Sequence, residues 1–263
     1  MSTMTYAAQD CATMLRRNLR HMLRYPSMTL MLVGQPIVFM LLFVFVFGGT
    51  MGAGLTGVSG GRAEYLTYIT PGILLMAVAS VSLGTAISVA MDMTEGIIAR
   101  FRTMAIARVS VLTGHVVGAL IQTVIAVAVV LAVAVLLGFR SDAGPAGWLA
   151  AVAVLGMLAF ALTWFTVALG LVSKSVEAAS NLPMFLVLLP FLGSGFVPTE
   201  SMPTGLRWFA EYQPFTPVIE TVRGLLLGTP IGNNAFLAVT WCTVIAVTGY
   251  VWAKRLYNRD PSR

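Results

Sequence analysis

Long runs of residues without Asp, Glu, Lys or Arg alternate with short polar segments along this chain. Six of these runs exceed the roughly 20 residues that an α-helix needs to cross about 30 Å of hydrocarbon. The runs are rich in Leu, Val and Ala, and they lack the apolar–polar alternation typical of membrane β-strands. The pattern predicts an all-α integral membrane protein with six transmembrane helices, whose apolar cores lie at about 28–47, 66–91, 111–137, 148–172, 182–196 and 235–252.

Composition supports this interpretation. Of the 263 residues, 58% are hydrophobic and 10% are charged, whereas soluble globular proteins have roughly 45–50% apolar and about 25% charged residues. A water-soluble domain of this size cannot bury so much apolar surface, and a disordered chain needs low hydrophobicity. Two cysteines are too few for a disulfide-framed secreted fold. Composition therefore favours one transmembrane domain over residues 1–263.

Basic residues are distributed unequally between the two sides of the predicted membrane. Six spans put both termini on one side, which receives twelve of the sixteen basic residues. By the positive-inside rule that side is the cytoplasm. The basic residues flank separate spans, so the net charge of +6 does not indicate a nucleic-acid partner. The other side has only Arg62, Arg140, Arg207 and Arg223.

The amino-terminal segment 1–25 is basic and amphipathic. Three leucines and three arginines recur at a spacing of four residues on adjacent helical faces, and Pro26 ends the pattern. We expect an interfacial helix on the membrane lipid at the cytoplasmic side. The alternative is a basic flank that only stops translocation. The residues with this spacing are Leu15, Leu19, Leu23, Arg16, Arg20 and Arg24.

Motifs for metal binding and nucleotide binding are missing from the sequence. Neither Lys174 nor Lys254 belongs to a G-x-x-x-x-G-K-[ST] loop, and no H-E-x-x-H or C-x-x-C occurs. We therefore expect no catalytic, cofactor or metal site on this chain. His115 could serve as a proton relay, but near a span end a structural role is favoured. All ten acidic residues lie in loops or at span ends, which disfavours an ion-coupled carrier.

The segment 92–108, DMTEGIIARFRTMAIAR, lies between the second and third predicted spans on the cytoplasmic side. Its apolar residues Ile97, Phe101 and Met104 recur at helical spacing, with arginines on other faces. A short amphipathic helix of this kind is suited to docking another protein, and resting on lipid is the open alternative.

The segment 198–228 precedes the last span on the opposite side. Prolines divide it into two predicted helices, 204–212 and 218–227. Arg207 with Glu211 and Glu220 with Arg223 have the spacing of intrahelical ion pairs. Because Val218, Val222 and Leu225 form an apolar stripe, we predict a helical hairpin that re-enters the membrane. Pro183 and Pro190 are expected to make the fifth span short and bent.

Taken in order, these features resemble the ABC-2 type export permeases, in particular the daunorubicin-resistance branch. The resemblance covers nearly the whole chain and depends on the interfacial helix, six spans and two motifs. Ala105 departs from it, because many relatives have proline there. The first motif comprises Glu95, Gly96, Arg100, Phe101 and Arg102, and the second Pro198, Pro203, Pro214, Pro217, Arg223, Leu225 and Gly228.

The resemblance implies a mechanism in a bacterial plasma membrane. Such permeases form homodimers that bind two copies of a separate ATPase subunit, where ATP and Mg²⁺ bind. It implies that closure of the ATPase on ATP pushes the segment around Glu95 to Arg108 and the amino-terminal helix, and that the hairpin gates the exit. It also implies a substrate path near the first, second and fifth spans. The gate residues are then Pro203, Pro214, Pro217, Glu220 and Arg223, and the path residues are Phe39, Phe43, Ser80 and Thr85.

Mild polarity in the spans suits a hydrophobic or amphiphilic substrate, such as a drug, an antibiotic or a lipid. Relatives in the same family also export polysaccharides and lipid-linked glycans, so a glycan exporter is the nearest alternative. Two alternatives from other classes are an ion-coupled secondary carrier and a membrane scaffold or signalling subunit. The first would require an ion gradient for transport, and the second would show no transport.

Overall fold

The computed structural model describes residues 13, 15–17, 20, 24, 26–56, 61–96 and 108–258, and these residues form helices without any β-strand. A π-helical turn, Phe43–Phe47, joins α1 to α2. Short 3₁₀ turns occupy Leu189–Leu192 and Thr199–Ser201. The α-helices are α1 (Pro26–Leu42), α2 (Gly48–Thr56), α3 (Arg62–Thr94), α4 (Arg108–Leu136), α5 (Pro145–Val172), α6 (Val176–Asn181), α7 (Met184–Leu188), α8 (Thr204–Tyr212), α9 (Phe215–Leu227) and α10 (Asn234–Tyr257).

Within the described residues, five helices are long and apolar enough to cross a membrane. They coincide with five of the six predicted spans, which confirms the all-α membrane class. The end of the bundle that the basic residues predict to be cytoplasmic is termed the inner end below, and the opposite end the outer end. The five helices are Thr29–Gly54, Arg62–Thr94, Leu112–Leu136, Pro145–Val172 and Asn234–Tyr257.

The segment that corresponds to the predicted fifth span is broken into short pieces. It comprises α6, α7, the 3₁₀ turn Leu189–Leu192 and the residues that follow as far as Phe196, and it is termed the broken segment. Pro183 and Pro190 stand at the breaks, where a missing N–H and a fixed φ oppose a continuous helix. Its last residues, Ser194 to Phe196, lie beside the outer half of α3. The expected short, bent element is therefore present, and the count of six spans stays a prediction.

Helix α3 is the central element of the bundle. It packs against α1, α4, α5 and α9, and its middle is almost wholly buried. Small residues permit close helix packing, as is common in membrane proteins. A Cβ on Gly72 would lie 2.6 Å from the carbonyl oxygen of Gly195, so the broken segment touches the α3 backbone directly. By contrast, α1, α4 and α10 expose long apolar faces at the surface of the chain.

The outer hairpin consists of α8 and α9. Helix α8 has the predicted bounds, whereas α9 begins at Phe215, three residues before the predicted start. The earlier start has a local cause, since the Gln213 side chain accepts a hydrogen bond from the Phe215 N–H. Val218 and Val222 are buried against other helices, so protein covers the apolar stripe. Re-entry of the hairpin into the membrane stays a prediction.

Two predicted elements fall largely outside the described residues. In the amino-terminal segment, residues 13, 15–17, 20 and 24 are described and helical, as an interfacial helix requires. In the segment 92–108, α3 continues to Thr94, and Glu95 and Gly96 form a turn. Asp92 is therefore part of the α3 helix, whereas the sequence pattern placed it at the start of the connecting segment. Residues 97–107, which include Arg100, Phe101 and Arg102, lie outside the described part of the chain.

Candidate functional site

A buried carboxylate binds side chains from two other elements at the inner end of α3. The Arg17 guanidinium donates to both oxygens of Asp92, with Nη1–Oδ2 2.9 Å and Nη2–Oδ1 2.7 Å. His115 Nε2 lies 3.1 Å from Asp92 Oδ2, and because a carboxylate only accepts, Nε2 carries the shared proton. Arg17, Asp92 and His115 are termed the inner cluster.

The inner cluster lies at the end of α3, a helix that is long and apolar enough to cross a membrane. The Asp92 side chain is 10% exposed, whereas that of Arg17 is 38% exposed. A carboxylate at such a position needs a partner, because burial removes its hydration. The hydrogen bonds to Asp92 raise the pKa of Arg17 above its usual value, against the lowering effect of burial. The ion pair between Arg17 and Asp92 therefore links the amino-terminal segment to the helix bundle.

Sequence reasoning missed this cluster. It placed Asp92 at the start of the cytoplasmic segment 92–108 and favoured a structural role for His115, without connecting the two residues. The available signal was an acidic residue at the edge of an apolar run, preceded by an arginine-bearing amphipathic segment. Glu95, which the sequence predicted to take part in ATPase coupling, lies about one helical turn after Asp92 and is exposed at the end of α3. Gly96 follows it and has a left-handed φ of 69°.

A second cluster lies at the outer end and is centred on Arg223 of α9. Its guanidinium donates from Nη2 to the carbonyl oxygens of Ser194 (2.7 Å) and Tyr68 (3.2 Å), and from Nη1 to Glu220. The guanidinium carbon also lies 4.0 Å from the centre of the Tyr68 ring, a cation–π contact. Arg223, Glu220, Tyr68 and Ser194 are termed the outer cluster.

Further side chains satisfy the backbone where the broken segment departs from helical geometry. The Tyr68 hydroxyl donates to the Ser194 carbonyl at 3.1 Å, and the Thr216 hydroxyl accepts from the Ser194 N–H at 3.3 Å. The Tyr65 hydroxyl donates to the Phe196 carbonyl at 3.3 Å, and Gln213 Nε2 lies 3.4 Å from the Leu189 carbonyl. Unpaired backbone groups are costly inside a membrane protein, so these contacts stabilise the break.

The predicted gate residues are only partly brought together. Glu220 and Arg223 form the expected pair, and Arg223 reaches α3 and the broken segment as well. The three prolines define helix starts instead: Pro203 and Pro214 precede α8 and α9, and Pro217 is buried in the first turn of α9. Sequence reasoning missed Tyr65 and Tyr68, whose spacing on one face of the second span was the available signal.

The predicted path residues separate into two groups. Phe39 lies 5.3 Å from Phe191 and Phe43 lies 4.7 Å from Phe196, ring centre to ring centre, where the π-helical turn meets the broken segment. Ser80 and Thr85 are buried inside α3, and the Thr85 hydroxyl donates to the carbonyl of its own helix at Val81. The structure therefore brings the phenylalanines together and leaves the hydroxyl residues in the helix core.

Comparison with known proteins gives one consistent result. The model of the ABC-2 type transporter family matches residues 9–227. The chain is 31% identical over 207 residues to the daunorubicin resistance ABC transporter permease protein DrrB1 of Streptomyces coeruleorubidus, covering 78% of this chain and 70% of that protein. It is 27% identical over 216 residues to the probable doxorubicin resistance ABC transporter permease protein DrrC of Mycobacterium tuberculosis, covering 81% and 76%. The chain belongs to the ABC-2 type transporter family.

Proposed function

We propose that this chain is the transmembrane permease subunit of an ATP-driven exporter of hydrophobic or amphiphilic compounds. The family match over residues 9–227 carries this proposal. The two relatives named as daunorubicin and doxorubicin resistance permeases favour a drug or antibiotic as the exported compound. A fold that is apolar over five long helices is compatible with such a compound.

The energy source in this proposal is a separate ABC ATPase subunit that holds ATP and Mg²⁺. The sequence has no Walker loop, so the chain itself would bind neither. Two permease chains would pair as a homodimer with two ATPase subunits. The ATPase would contact the inner end of the bundle through Glu95, Gly96, Arg100, Phe101 and Arg102, and both termini would lie in the cytoplasm of a bacterial cell.

Export would proceed past the phenylalanines at the junction of α1 and the broken segment. Phe39 and Phe43 offer aromatic faces that suit a planar, amphiphilic molecule. Ser80 and Thr85, the other two residues predicted for the path, lie buried within α3. The outer hairpin would act as the gate, because Arg223 ties α9 to the broken segment and to α3.

The test is to co-express the chain with a candidate ATPase encoded beside it and to purify the complex through a tag on the permease. Inverted membrane vesicles are then loaded with daunorubicin in the presence of ATP. We expect co-purification and uptake that requires ATP. The matched control is an ATPase variant that lacks its catalytic carboxylate, for which uptake should fall to background.

Two outcomes would contradict the proposal. Uptake that persists without ATP and collapses when an ionophore removes the ion gradient would favour a secondary carrier. Failure of any ATPase subunit to co-purify in several detergents, together with no uptake, would favour a scaffold role. Uptake of a lipid-linked glycan in place of daunorubicin would keep the exporter class and change the substrate.

A further inference from the structure

Asp92 is the point at which three separate parts of the chain meet. It belongs to the last turn of α3, Arg17 belongs to the amino-terminal segment, and His115 belongs to the inner part of α4. The partners are 75 residues before it and 23 residues after it. The Asp92–His115 contact thus joins the two helices that flank residues 97–107, and the Arg17–Asp92 contact adds the amino-terminal segment.

The chemistry of the cluster opposes separation of the three parts. Asp92 and His115 are buried, with side-chain exposures of 10% and 4%, so separating the carboxylate from its donors would leave a charge without hydration. The bidentate contact also fixes the orientation of the Arg17 guanidinium relative to the Asp92 carboxylate, because two guanidinium nitrogens must face the two carboxylate oxygens. A displacement of one part is therefore opposed unless the other two follow.

We propose that Asp92 is a positioning residue for energy coupling: it holds the inner ends of α3 and α4 and the Arg17 segment as one unit. A push from the ATPase subunit against the chain between α3 and α4 then reaches α3 and the interfacial segment together. This inference rests on the proposed function. It assigns coupling to a buried residue that contacts neither ATP nor the exported compound.

The principal variant is Asp92→Asn, which keeps the shape of the side chain and removes its charge. Arg17→Gln removes the same contact from a half-exposed position, so it tests the proposal without altering the buried core. Arg17→Lys keeps the charge and loses the bidentate geometry, and it should retain part of the wild-type behaviour. The matched control is Asp142→Asn, the same chemical change at an exposed position in the outer connection between α4 and α5.

Two measurements separate the mechanical link from transport. Hydrogen–deuterium exchange on the permease alone, in lipid nanodiscs, reports on the peptide that contains Arg17 without any ATPase. We expect exchange there to be at least about fivefold faster in Asp92→Asn and Arg17→Gln. ATP hydrolysis and daunorubicin uptake by the full complex report on coupling, where uptake per ATP should fall about fivefold or more. Co-purification and basal hydrolysis should be retained.

The outcomes distinguish this inference from the proposed function. Wild-type exchange in both variants would contradict the link itself. Faster exchange with unchanged uptake per ATP would overturn the coupling role and leave a structural contact only. No hydrolysis or uptake by the wild-type complex would contradict the proposed function and the coupling role with it. A further outcome is that Asp92→Asn fails to co-purify or to show a cooperative unfolding transition in an SDS titration. If it does so while Arg17→Gln couples ATP hydrolysis to uptake as the wild type does, Asp92 is needed for folding and not for coupling.

Discussion

The inner and outer clusters both use buried charge, but they use it in opposite ways. At the inner end an acid, Asp92, is the hub, and its partners are the side chains of Arg17 and His115. At the outer end a base, Arg223, is the hub, and two of its acceptors are backbone carbonyls, those of Ser194 and Tyr68. The inner cluster joins separate elements through contacts between side chains. The outer cluster instead binds backbone carbonyl groups, among them that of Ser194, which lies outside any helix.

This difference separates two physical tasks. A backbone carbonyl cannot be moved without moving its segment, so the outer cluster fixes the broken segment against α3 and α9. The side-chain contacts of the inner cluster join the ends of separate elements without holding their backbone, so a displacement of one element is passed on to the others. We therefore expect substitutions at the outer cluster to act on stability first, and substitutions at the inner cluster to act on coupling first.

The largest effect on stability is expected from Arg223→Met. Methionine keeps an apolar stem of similar length and removes every donor, so two carbonyls lose a hydrogen bond and Glu220 loses its partner. The Arg223 side chain is 8% exposed, so solvent does not replace these contacts. The expected loss is roughly 2–4 kcal/mol in the free energy of unfolding. SDS titration followed by circular dichroism measures it.

The conservative variant Arg223→Lys serves as the comparison for this prediction. Lysine keeps the charge but cannot donate from two nitrogens in a fixed plane, so its stability should fall between those of Arg223→Met and the wild type. Equal stability of Arg223→Met and the wild type would show that the outer cluster does not hold the broken segment.

An intermediate effect is expected from Gly72→Ala, which changes the outer region without touching a charged group. The new Cβ would lie 2.6 Å from the Gly195 carbonyl oxygen, so the broken segment must move away from α3. Such overpacking costs about 1–3 kcal/mol in the free energy of unfolding. Amide exchange of the peptide that contains Ser194 should also become faster.

The control for this variant is Gly156→Ala in α5, where the added Cβ has no atom within 4 Å beyond its chain neighbours and the backbone of its own helix. Alanine is the better helix former, so this variant should equal or exceed wild-type stability. If the two glycine variants have the same free energy of unfolding, the close approach of the broken segment to α3 does not contribute to the stability of the outer region.

The smallest effect is expected from Arg207→Met in α8, the same chemical change as in the first prediction. Arg207 donates to Glu211 at 2.7 Å, and this bond raises the pKa of Arg207, but the side chain is 46% exposed and water replaces the lost contact. The SDS midpoint should be unchanged within error. A loss as large as that of Arg223→Met would mean that burial is not what distinguishes the two arginines.

Several features of the fold could be predicted because they depend on neighbouring residues. Helix α8 has the predicted bounds, and Arg207–Glu211 and Glu220–Arg223 pair as their spacing indicated. Thr85 illustrates the limit of such reasoning. Hydroxyl groups in a span can be satisfied by their own helix, as Thr85 is, so their presence in the sequence does not show that they line a path.

By itself, the sequence determined where apolar helices form, where prolines interrupt them and which charges pair within one helix. These properties depend on side-chain periodicity over a few residues and on the free energy of transfer to the membrane. Only the tertiary structure decided that Asp92 meets Arg17 and His115, and that Arg223 meets Ser194 and Tyr68. Those contacts depend on how helices distant in sequence pack and rotate, because a buried charge binds whichever partner the packing brings within reach.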